Sequence, residues 1–234
     1  PYTGMRTLAS AAFMDKTVTK RLLSGQDIPQ LDCVALHRPA DGVMMSGAAL
    51  AEVFGNAKLP ACVKPCHLGS SIGVAKVDDM EQLREVLPSI FRLDPVAIVE
   101  PFVTNLVEYN VSVSRFGGEI RTSAIERPKR ASELLDFKEK YMSGGGGKKG
   151  GTKSPGAASE GMLSLTRDIN PDIPAELEAN IRKWASAAFE AVGGTGAPRI
   201  DFLGDEETGE IWLNEVNPCP GSFGYFLWEA ADPP

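Results

Sequence analysis

The hydrophobic and polar positions of this 234-residue chain follow two different periods in different stretches. Apolar residues that recur every third or fourth position predict amphipathic helices, and short apolar or alternating runs predict strands. Helices are therefore predicted over residues 9–23, 44–54, 79–91 and 174–192. Strands are predicted over residues 32–36, 59–65, 74–77, 95–100, 108–114, 119–126, 199–203 and 210–217.

The predicted helices carry signals for their ends and for their buried faces. Asp78 or Asp79 would cap the third helix and Asp172 the fourth, because aspartate side chains accept hydrogen bonds from a helix's first N–H groups. The predicted buried positions of the first helix are Leu8, Ala12, Val18, Leu22 and Leu23. Those of the third are Met80, Leu83, Val86, Leu87 and Ile90, and those of the fourth are Leu177, Ile181, Trp184, Ala188 and Phe189.

Two pairs of predicted strands are joined by short turns. The strands 108–114 and 119–126 meet at Gly117-Gly118, and the last two strands meet at Thr208-Gly209. Turns this short connect antiparallel strands. The mixture of helices and hairpins predicts an α+β fold with antiparallel sheets rather than a parallel, doubly wound sheet.

Composition and charge are those of an ordinary soluble protein, for which we expect a cytoplasmic location. Hydrophobic residues make up 43% of the chain and charged residues 24%, and the net charge of −7 argues against a nucleic-acid partner. No apolar run approaches the roughly 18 residues of a membrane-spanning helix. Four cysteines are too few for a disulfide scaffold, and Cys62 and Cys66, with only two histidines in the chain, do not have the spacing of a structural zinc site.

The last hairpin brings the most informative polar residues together. Side chains alternate between the two faces of a strand, so Arg199 and Asp201 share a face, as do Glu215 and Asn217. A turn centred on Thr208 would place Asp201 opposite Glu215 and Arg199 opposite Asn217. Because facing carboxylates repel, either Arg199 or a bound cation must compensate. Oxygen ligands of this kind suit Mg²⁺, although a solvated acidic hairpin is the alternative.

A second candidate site is the strand containing Lys64 and the following loop, Gly69-Ser70-Ser71-Ile72-Gly73. Small residues allow backbone N–H groups to approach a phosphate, and serine hydroxyls add hydrogen-bond donors. Lys64 is a single charge in an apolar strand and should reach an anion. A plain hairpin turn is the alternative interpretation of the loop.

A glycine- and lysine-rich stretch follows Lys138-Glu139-Lys140-Tyr141. Residues 144–161 contain eight glycines and three lysines, a composition that predicts a mobile loop, here taken as residues 143–161. A lysine at the root of such a loop can swing over a phosphate. Composition alone favours the simpler alternative, an exposed linker with solubilising lysines.

Taken in order, five motifs resemble those of ATP-grasp enzymes, and most closely those of the D-alanine–D-alanine ligase family. They are Pro1-Tyr2-Thr3-Gly4 with Met14-Asp15-Lys16, Val63-Lys64-Pro65 with the Gly69–Gly73 loop, Glu139-Lys140-Tyr141, Arg199-Ile200-Asp201, and Asn214-Glu215-Val216-Asn217-Pro218 with Pro220-Gly221. The resemblance implies an ATP-grasp fold, in which two lobes, each with a mainly antiparallel sheet and flanking helices, enclose ATP. We expect a central lobe at residues 1–100 and a C-terminal lobe at 101–234.

The resemblance also implies roles for individual residues. ATP would be bound by Lys16, Lys64, Ser70, Ser71, Glu100, Pro101, Phe102, Val103, Glu108 and Lys140. Two Mg²⁺ ions, or Mn²⁺ in their place, would be held by Asp201, Glu215 and Asn217. Catalysis would involve Arg199, Ser70, Lys140, Tyr141 and Gly221.

The implied activity is ATP-dependent ligation of two amino acids through an acyl phosphate, a step of peptidoglycan synthesis. The alternatives are an ATP-binding fragment without catalysis and an ATP-grasp phosphotransferase. We expect small amino-acid substrates, no nucleic-acid or membrane partner, and a homodimer as one assembly to consider. The family's N-terminal domain and terminal helix have no counterpart in these 234 residues.

Three positions depart from the family pattern. Phe226 lies near the place of a serine that holds the second substrate's carboxylate, Leu68 replaces a common glutamate, and Pro101 replaces a common lysine. The acceptor is therefore expected to differ from D-alanine.

Overall fold

The computed structural model describes residues 4–55, 58–129 and 167–232. Its α-helices are α1 (Thr7–Met14), α2 (Lys16–Leu23), α3 (Gly47–Phe54), α4 (Met80–Leu93), α5 (Ala175–Ala191) and α6 (Tyr225–Glu229), with a 3₁₀ turn at Gly221–Gly224. Its strands are β1 (Val34–His37), β2 (Ala61–Pro65), β3 (Ala75–Val77), β4 (Val96–Pro101), β5 (Leu106–Phe116), β6 (Glu119–Pro128), β7 (Arg167–Ile169), β8 (Arg199–Asp205) and β9 (Ile211–Asn217).

The strands form two antiparallel sheets. The first has the order β1-β4-β2-β3 and the second the order β7-β6-β5-β8-β9. The predicted α+β class with antiparallel sheets is confirmed.

Each sheet has its own hydrophobic core. Helices α3 and α4 cover the first sheet, where Leu83 and Leu87 pack with Val63 and Val99. Helix α5 covers the second sheet, and the second core also contains residues of α1 and α2, among them Ala9, Phe13 and Leu23. The first two helices therefore pack with the second sheet, and the division of the chain at residue 100 stays a prediction.

The single helix predicted over residues 9–23 is wrong, because the chain forms two helices that meet at Asp15. The backbone of Asp15 is extended, with φ −105° and ψ 111°, and its Oδ1 accepts hydrogen bonds from the N–H groups of Thr17 and Val18. An aspartate that caps a new helix competes with continuation of the preceding one. Helix α2 therefore begins at Lys16, with its own axis.

The break also changes which residues are buried. Leu8 is 83% exposed and Val18 and Leu22 are each 37% exposed, whereas Ala9 and Phe13, which were not in the predicted set, are buried. The predicted burial of Leu23 is confirmed. A periodicity carried across two helices therefore predicts the wrong face of α1 and is correct in α2 at Leu23 but not at Val18 or Leu22.

The predicted helix caps are confirmed at one helix and wrong at the other. Asp79 caps α4 by accepting a hydrogen bond from the N–H of Gln82 at 2.8 Å. Asp172 does not cap α5, because the residue before that helix is Pro174 and no side chain makes the capping bond.

The last hairpin contains a β-bulge that affects the site directly. Asp201 pairs with Glu215 and Arg199 with Asn217, which confirms the predicted register. Towards the turn, however, Phe202 pairs with Leu213, so one residue of β9, Asn214, is extra. A bulge of this kind places two residues of one strand opposite one residue of its partner.

None of the helices in the described ranges has the length and apolar character needed to cross a membrane. The loop predicted at residues 143–161, and with it Lys140 and Tyr141, lies outside the described residues.

Candidate active site

A cleft between the two sheets contains two adjoining cavities, of about 120 and about 390 Å³. Ser70, Ser71, Glu108, Asn214 and Glu215 line both of them, so the cavities form one continuous space. The smaller is lined by Lys16, Lys64, Ser70, Ser71, Glu100, Pro101, Phe102, Val103 and Glu108, all of them predicted ATP-binding residues. The larger is lined by Arg199, Asp201, Glu215, Asn217 and Gly221, which were predicted for metal binding and catalysis.

Lys16, Lys64 and Glu100 line the smaller cavity, and Lys20 pairs with Glu100; we call these four residues the lysine cluster. The Glu100 side chain is 3% exposed and accepts from Lys20 Nζ at 2.7 Å and from Lys64 Nζ at 2.6 Å. Lys64 Nζ also donates to Asn214 Oδ1 at 2.8 Å. Lys64 therefore does reach an anion, and in the structure that anion is Glu100.

The cluster combines residues from both cores. Lys16 and Lys20 are four positions apart and share one face of α2, which packs with the second sheet. Lys64 and Glu100 belong to neighbouring strands of the first sheet, β2 and β4. The ion pair between Lys20 and Glu100 therefore connects the second core to the first sheet.

Burial and pairing act in opposite directions on the charges of this cluster. Burial alone would neutralise Glu100 and Lys64, because it disfavours a charged group. Lys64 and Lys20 outweigh the effect of burial on Glu100 and hold its pKa below the usual value. Glu100 likewise outweighs burial at Lys64 and raises the pKa of that ammonium group. Both groups are charged.

Lys16 connects the loop Gly69–Gly73, which we call the Gly-Ser loop, to the second sheet. Its Nζ donates to the carbonyl oxygen of Leu68 at 2.6 Å and lies 3.3 Å from Glu215 Oε2. This places an ammonium group between the Gly-Ser loop and the predicted metal ligands.

The Gly-Ser loop has an uncommon backbone. Ser70 and Ser71 have φ values of +55° and +56°, a left-handed conformation that costs a non-glycine residue free energy. Gly73 has φ +72°, and a Cβ there would lie 2.9 Å from side-chain atoms of both Pro65 and Leu93. Strained backbone of this type concentrates at functional sites.

The larger cavity is bordered by what we call the carboxylate cluster, consisting of Asp201, Glu215 and Asn217 with Arg199. Arg199 binds Asp201 through two parallel hydrogen bonds, from Nε at 2.6 Å and from an Nη at 2.7 Å. Asn217 Nδ2 donates to Asp201 Oδ2 at 2.8 Å. Arg199 thus supplies the first of the two compensations that the sequence required.

The carboxylates extend as a row across four strands. Glu126 on β6 pairs with Asn110 on β5, Asn110 pairs with Asp201 on β8, and Asp201 pairs with Glu215 on β9. Asn110 Nδ2 donates to Glu126 Oε1 at 2.9 Å, and Arg167 binds the other oxygen of Glu126 at 2.8 Å. One face of the second sheet therefore carries three carboxylates in a line.

The negative charge of this row is only partly balanced by Arg199 at Asp201. Burial raises the pKa of Asp201 to about 6, because the neighbouring Glu215 and Glu126 add to the effect of burial and Arg199 offsets only part of it. A buried carboxylate beside other carboxylate and amide oxygens fits a hard divalent cation, for which Mg²⁺ is the natural choice. The residues present therefore fit the predicted magnesium site.

The far end of the larger cavity is the turn after β9. Gly221 lines the cavity, and the next two residues, Ser222 and Phe223, have φ values of +51° and +52°. Phe226 follows in α6, where the guanidinium carbon of Arg167 lies 4.6 Å from the centre of its ring.

Three site residues are missing from the sequence prediction. Lys20 could have been found from its spacing to Lys16 on one helix, and Asn110 from its spacing to Glu108 on one strand. Asn214 had no such signal, because the bulge that turns it toward Lys64 cannot be seen in the alternation of the strand.

Comparison with known proteins agrees with this fold. A D-alanine–D-alanine ligase of Thermosipho africanus (strain TCF52B) is 33% identical over 229 residues, which are 98% of this chain and 56% of that protein. A D-alanine–D-alanine ligase of Streptococcus thermophilus (strain ATCC BAA-491 / LMD-9) is 30% identical over 234 residues, with 98% and 60% coverage. The chain thus spans little more than half the length of these relatives.

Solved structures lead to the same family. The VanG D-Ala:D-Ser ligase from Enterococcus faecalis has a TM-score of 0.74 at 26% identity, covering 98% of this chain and 60% of that one. The D-alanine–D-alanine ligase from Helicobacter pylori has a TM-score of 0.62 at 27% identity, with 97% and 60% coverage. These likenesses confirm the predicted ATP-grasp fold. The family model described as D-ala D-ala ligase C-terminus matches residues 22–228, and the chain belongs to that family.

Proposed function

We propose that this chain supplies the nucleotide-binding and catalytic part of an ATP-dependent ligase that joins the carboxylate of one amino acid to the amine of another. The reaction would proceed through an acyl phosphate, from which the amine displaces phosphate. We further propose a cytoplasmic enzyme of peptidoglycan synthesis, with small amino acids as substrates and a homodimer as the assembly to test.

The observation that carries this proposal is the continuity of the cleft. Lys16 and Lys64 line the smaller cavity, Asp201 and Asn217 line the larger one, and Glu215 and the two serines line both. A nucleotide whose phosphates pass from the lysines toward the carboxylates would meet opposite charge first and then a bound divalent cation. This order of charges is the one that phosphoryl transfer from a metal–nucleotide complex requires.

The side chains of the cleft divide the work. Lys16 and Lys64 would bind phosphate oxygens, and the segment from Glu100 to Val103 would contact the base. Ser70 and Ser71 would add donors from the loop, and Glu108 would hold the ribose. Lys140 and Tyr141 remain part of the proposal from their motif alone.

Asp201, Glu215 and Asn217 would hold Mg²⁺, with Mn²⁺ as a substitute. The bound ion would neutralise charge on the transferring phosphoryl group. Arg199, fixed by its two bonds to Asp201, would face the negative charge that develops on the carbonyl oxygen during amine attack. The backbone N–H of Gly221 would donate to the same oxygen.

A phosphate-release assay of the whole protein that carries this chain tests the proposal. ATP, Mg²⁺ and a panel of D- and L-amino acids would be supplied, and the products analysed by mass spectrometry for a new amide bond. We expect release of ADP and phosphate that depends on particular amino acids.

Other outcomes would replace the proposal with a different function. ATP binding without amino-acid-dependent release would indicate a non-catalytic nucleotide-binding protein. Release of ADP with a stable phosphorylated product and no amide would indicate a phosphotransferase.

A further inference from the structure

A second cluster of ligating side chains lies outside the cleft, where α2 meets the end of β2. It consists of Asp15, Cys66 and His67. Asp15 Oδ2 lies 3.2 Å from His67 Nε2, and Asp15 Oδ1 lies 3.2 Å from Cys66 Sγ. One ligand atom from each residue falls within 4.8 Å of the other two. The cluster thus offers one oxygen, one nitrogen and one sulfur to a common point.

The imidazole of His67 is oriented by a carboxylate on its other side. Asp94 Oδ1 lies 2.9 Å from His67 Nδ1, and Asp94 Oδ2 accepts from the backbone N–H of His67 at 2.7 Å. Asp94 is itself held by the N–H of Val96 at 2.9 Å. Because the Asp94 carboxylate binds Nδ1–H, Nε2 is the ring nitrogen that faces Asp15, and without a metal it donates its proton to that carboxylate. The same carboxylate–imidazole pairing orients histidine ligands in zinc sites.

We propose that Asp15, Cys66 and His67 bind Zn²⁺, with water as the fourth ligand. Ligands at about 2.0–2.3 Å from zinc in a tetrahedral arrangement lie roughly 3.3–3.7 Å apart. Asp15 Oδ2 and His67 Nε2 are 3.2 Å apart, and the ligand atoms of all three residues lie within 4.8 Å of one another. A thiolate and an imidazole select zinc over Mg²⁺, which prefers oxygen ligands alone. This site is therefore chemically distinct from the carboxylate cluster.

Zinc would bind in exchange for two protons, that of the Cys66 thiol and the one that His67 Nε2 donates to Asp15. Both protons pass to solvent, while the sulfur and the nitrogen keep their electron pairs. Burial raises the pKa of that thiol, so without a metal the proton stays on the sulfur. Asp15 would use Oδ2 for the metal, because Oδ1 already caps α2 through Thr17 and Val18. The side chain of His67 is 41% exposed and provides the path of entry.

The position of the site gives it a structural consequence. Asp15 precedes a helix of the second core, whereas Cys66 and His67 follow a strand of the first sheet. Lys16, which follows Asp15, donates a hydrogen bond to the carbonyl oxygen of Leu68, which follows His67, at the edge of the cleft. A metal ion here would join the two cores directly behind the lysine that faces the cavity.

Spectroscopic titration with Co²⁺ tests the proposal on the metal-free protein. Cobalt replaces zinc in such sites, and its bond to a thiolate produces a near-ultraviolet charge-transfer absorption. We expect saturable absorption at one equivalent, its loss on adding Zn²⁺, and a higher midpoint of thermal unfolding with Zn²⁺ present.

Substitutions assign the ligands. Cys66→Ser should abolish the charge-transfer band, and His67→Gln should weaken metal binding at least about tenfold. Asp94→Asn should keep the band but weaken binding about 10–100-fold, as expected for a residue that only positions a ligand. Cys219→Ser and His37→Gln alter an exposed cysteine and the other histidine, and should leave the titration unchanged.

Two results would overturn the proposal. The first is absence of cobalt absorption in the unsubstituted protein, which would make the cluster an ion-paired contact in which His67 bridges Asp15 and Asp94. The second is a band that survives Cys66→Ser or disappears with Cys219→Ser. Because the His67 side chain is partly exposed, His67→Gln keeps the test valid if Cys66→Ser does not fold.

Discussion

The lysine cluster and the carboxylate cluster face each other across the cleft, and they handle their charges differently. In the lysine cluster, Glu100 is enclosed by two ammonium groups that come from different cores, and both of its oxygens are paired. In the carboxylate cluster, Asp201 has a fixed arginine partner, but Glu215 and Glu126 add negative charge that this partner does not balance.

The difference indicates that the charge of Glu100 stabilises the fold, whereas the charge of Glu215 is available to a ligand. Glu100 forms buried ion pairs within the protein, so removing it leaves lysines without a counter-charge. Glu215 is partly exposed and forms an ion pair with Lys16 at 3.3 Å, so its removal relieves repulsion from Asp201 as well as losing an attraction. We therefore expect loss of the Glu100 charge to reduce stability and loss of the Glu215 charge to reduce binding.

The largest effect is expected for Glu100→Gln. Loss of the charge leaves Lys20 and the buried Lys64 without their carboxylate partner, which should lower the free energy of unfolding by about 3–5 kcal/mol. Urea unfolding monitored by circular dichroism measures this. Glu85→Gln, on the exposed face of α4, is the control and should stay within about 0.5 kcal/mol. Equal stability of the two variants would contradict a structural role for Glu100.

The next effect tests the loop that lies between the clusters. Gly73→Ala should cost about 2–4 kcal/mol, because an alanine at φ +72° is strained and its Cβ would overlap the ring of Pro65. Gly69→Ala is the matched control, since a Cβ there meets no atom within 4 Å. Thermal unfolding compares the two, and a Gly73→Ala protein as stable as Gly69→Ala would show that the loop tolerates another conformation.

A smaller effect, on binding, is expected for Glu215→Gln. Mg²⁺-dependent affinity for a non-hydrolysable ATP analogue should fall about 10–100-fold, or roughly 1.4–2.7 kcal/mol. The free energy of unfolding should change by less than about 1 kcal/mol. Isothermal calorimetry with and without Mg²⁺ measures the affinity. Glu210→Gln, an exposed carboxylate of the same hairpin, is the control, and unchanged Mg²⁺ dependence in Glu215→Gln would remove the metal-site assignment.

The smallest effect is expected for Ser71→Gly. Glycine adopts φ +56° without the cost that serine incurs, so the unfolding free energy should rise by up to about 1 kcal/mol. Affinity for the ATP analogue should fall at the same time, because the hydroxyl is lost. A variant that gains stability without losing affinity would show that this hydroxyl makes no contact with the nucleotide.

Much of the fold could be predicted because hydrophobic periodicity reports which side of an element is buried. The pattern of α4 succeeded in this way, and Leu83, Leu87 and Ile90 are buried. It failed for α1 and α2, where Asp15 ends one helix and starts another within an unbroken apolar pattern. It also failed at Asp172, because the proline at 174 precedes the first turn of α5 and leaves it without a capping side chain.

The part of the site that lies on paired strands could be predicted, because side chains alternate between the two faces of a strand. The pairing of Asp201 with Glu215 was correct, although the turn lies half a residue from the assumed centre, because the bulge at Asn214 restores the register. The lysine cluster could only be predicted in part. Lys20 on α2 and Glu100 on β4 are distant in sequence and meet only in the folded chain, so no local pattern contains their ion pair.

Because of the bulge, β9 contains one residue, Asn214, that is not needed for its pairing with β8. Asn214 has no partner in the ladder, while Leu213 and Glu215 pair with adjacent residues of β8. Deleting Asn214 would close the ladder into a regular one and leave Leu213 and Val216 on the core side. The strand would lose only the amide oxygen that reaches Lys64 from the other sheet. An inserted residue, rather than a substitution, thus supplies the hydrogen bond across the cleft, and the core residues of β9 keep their positions.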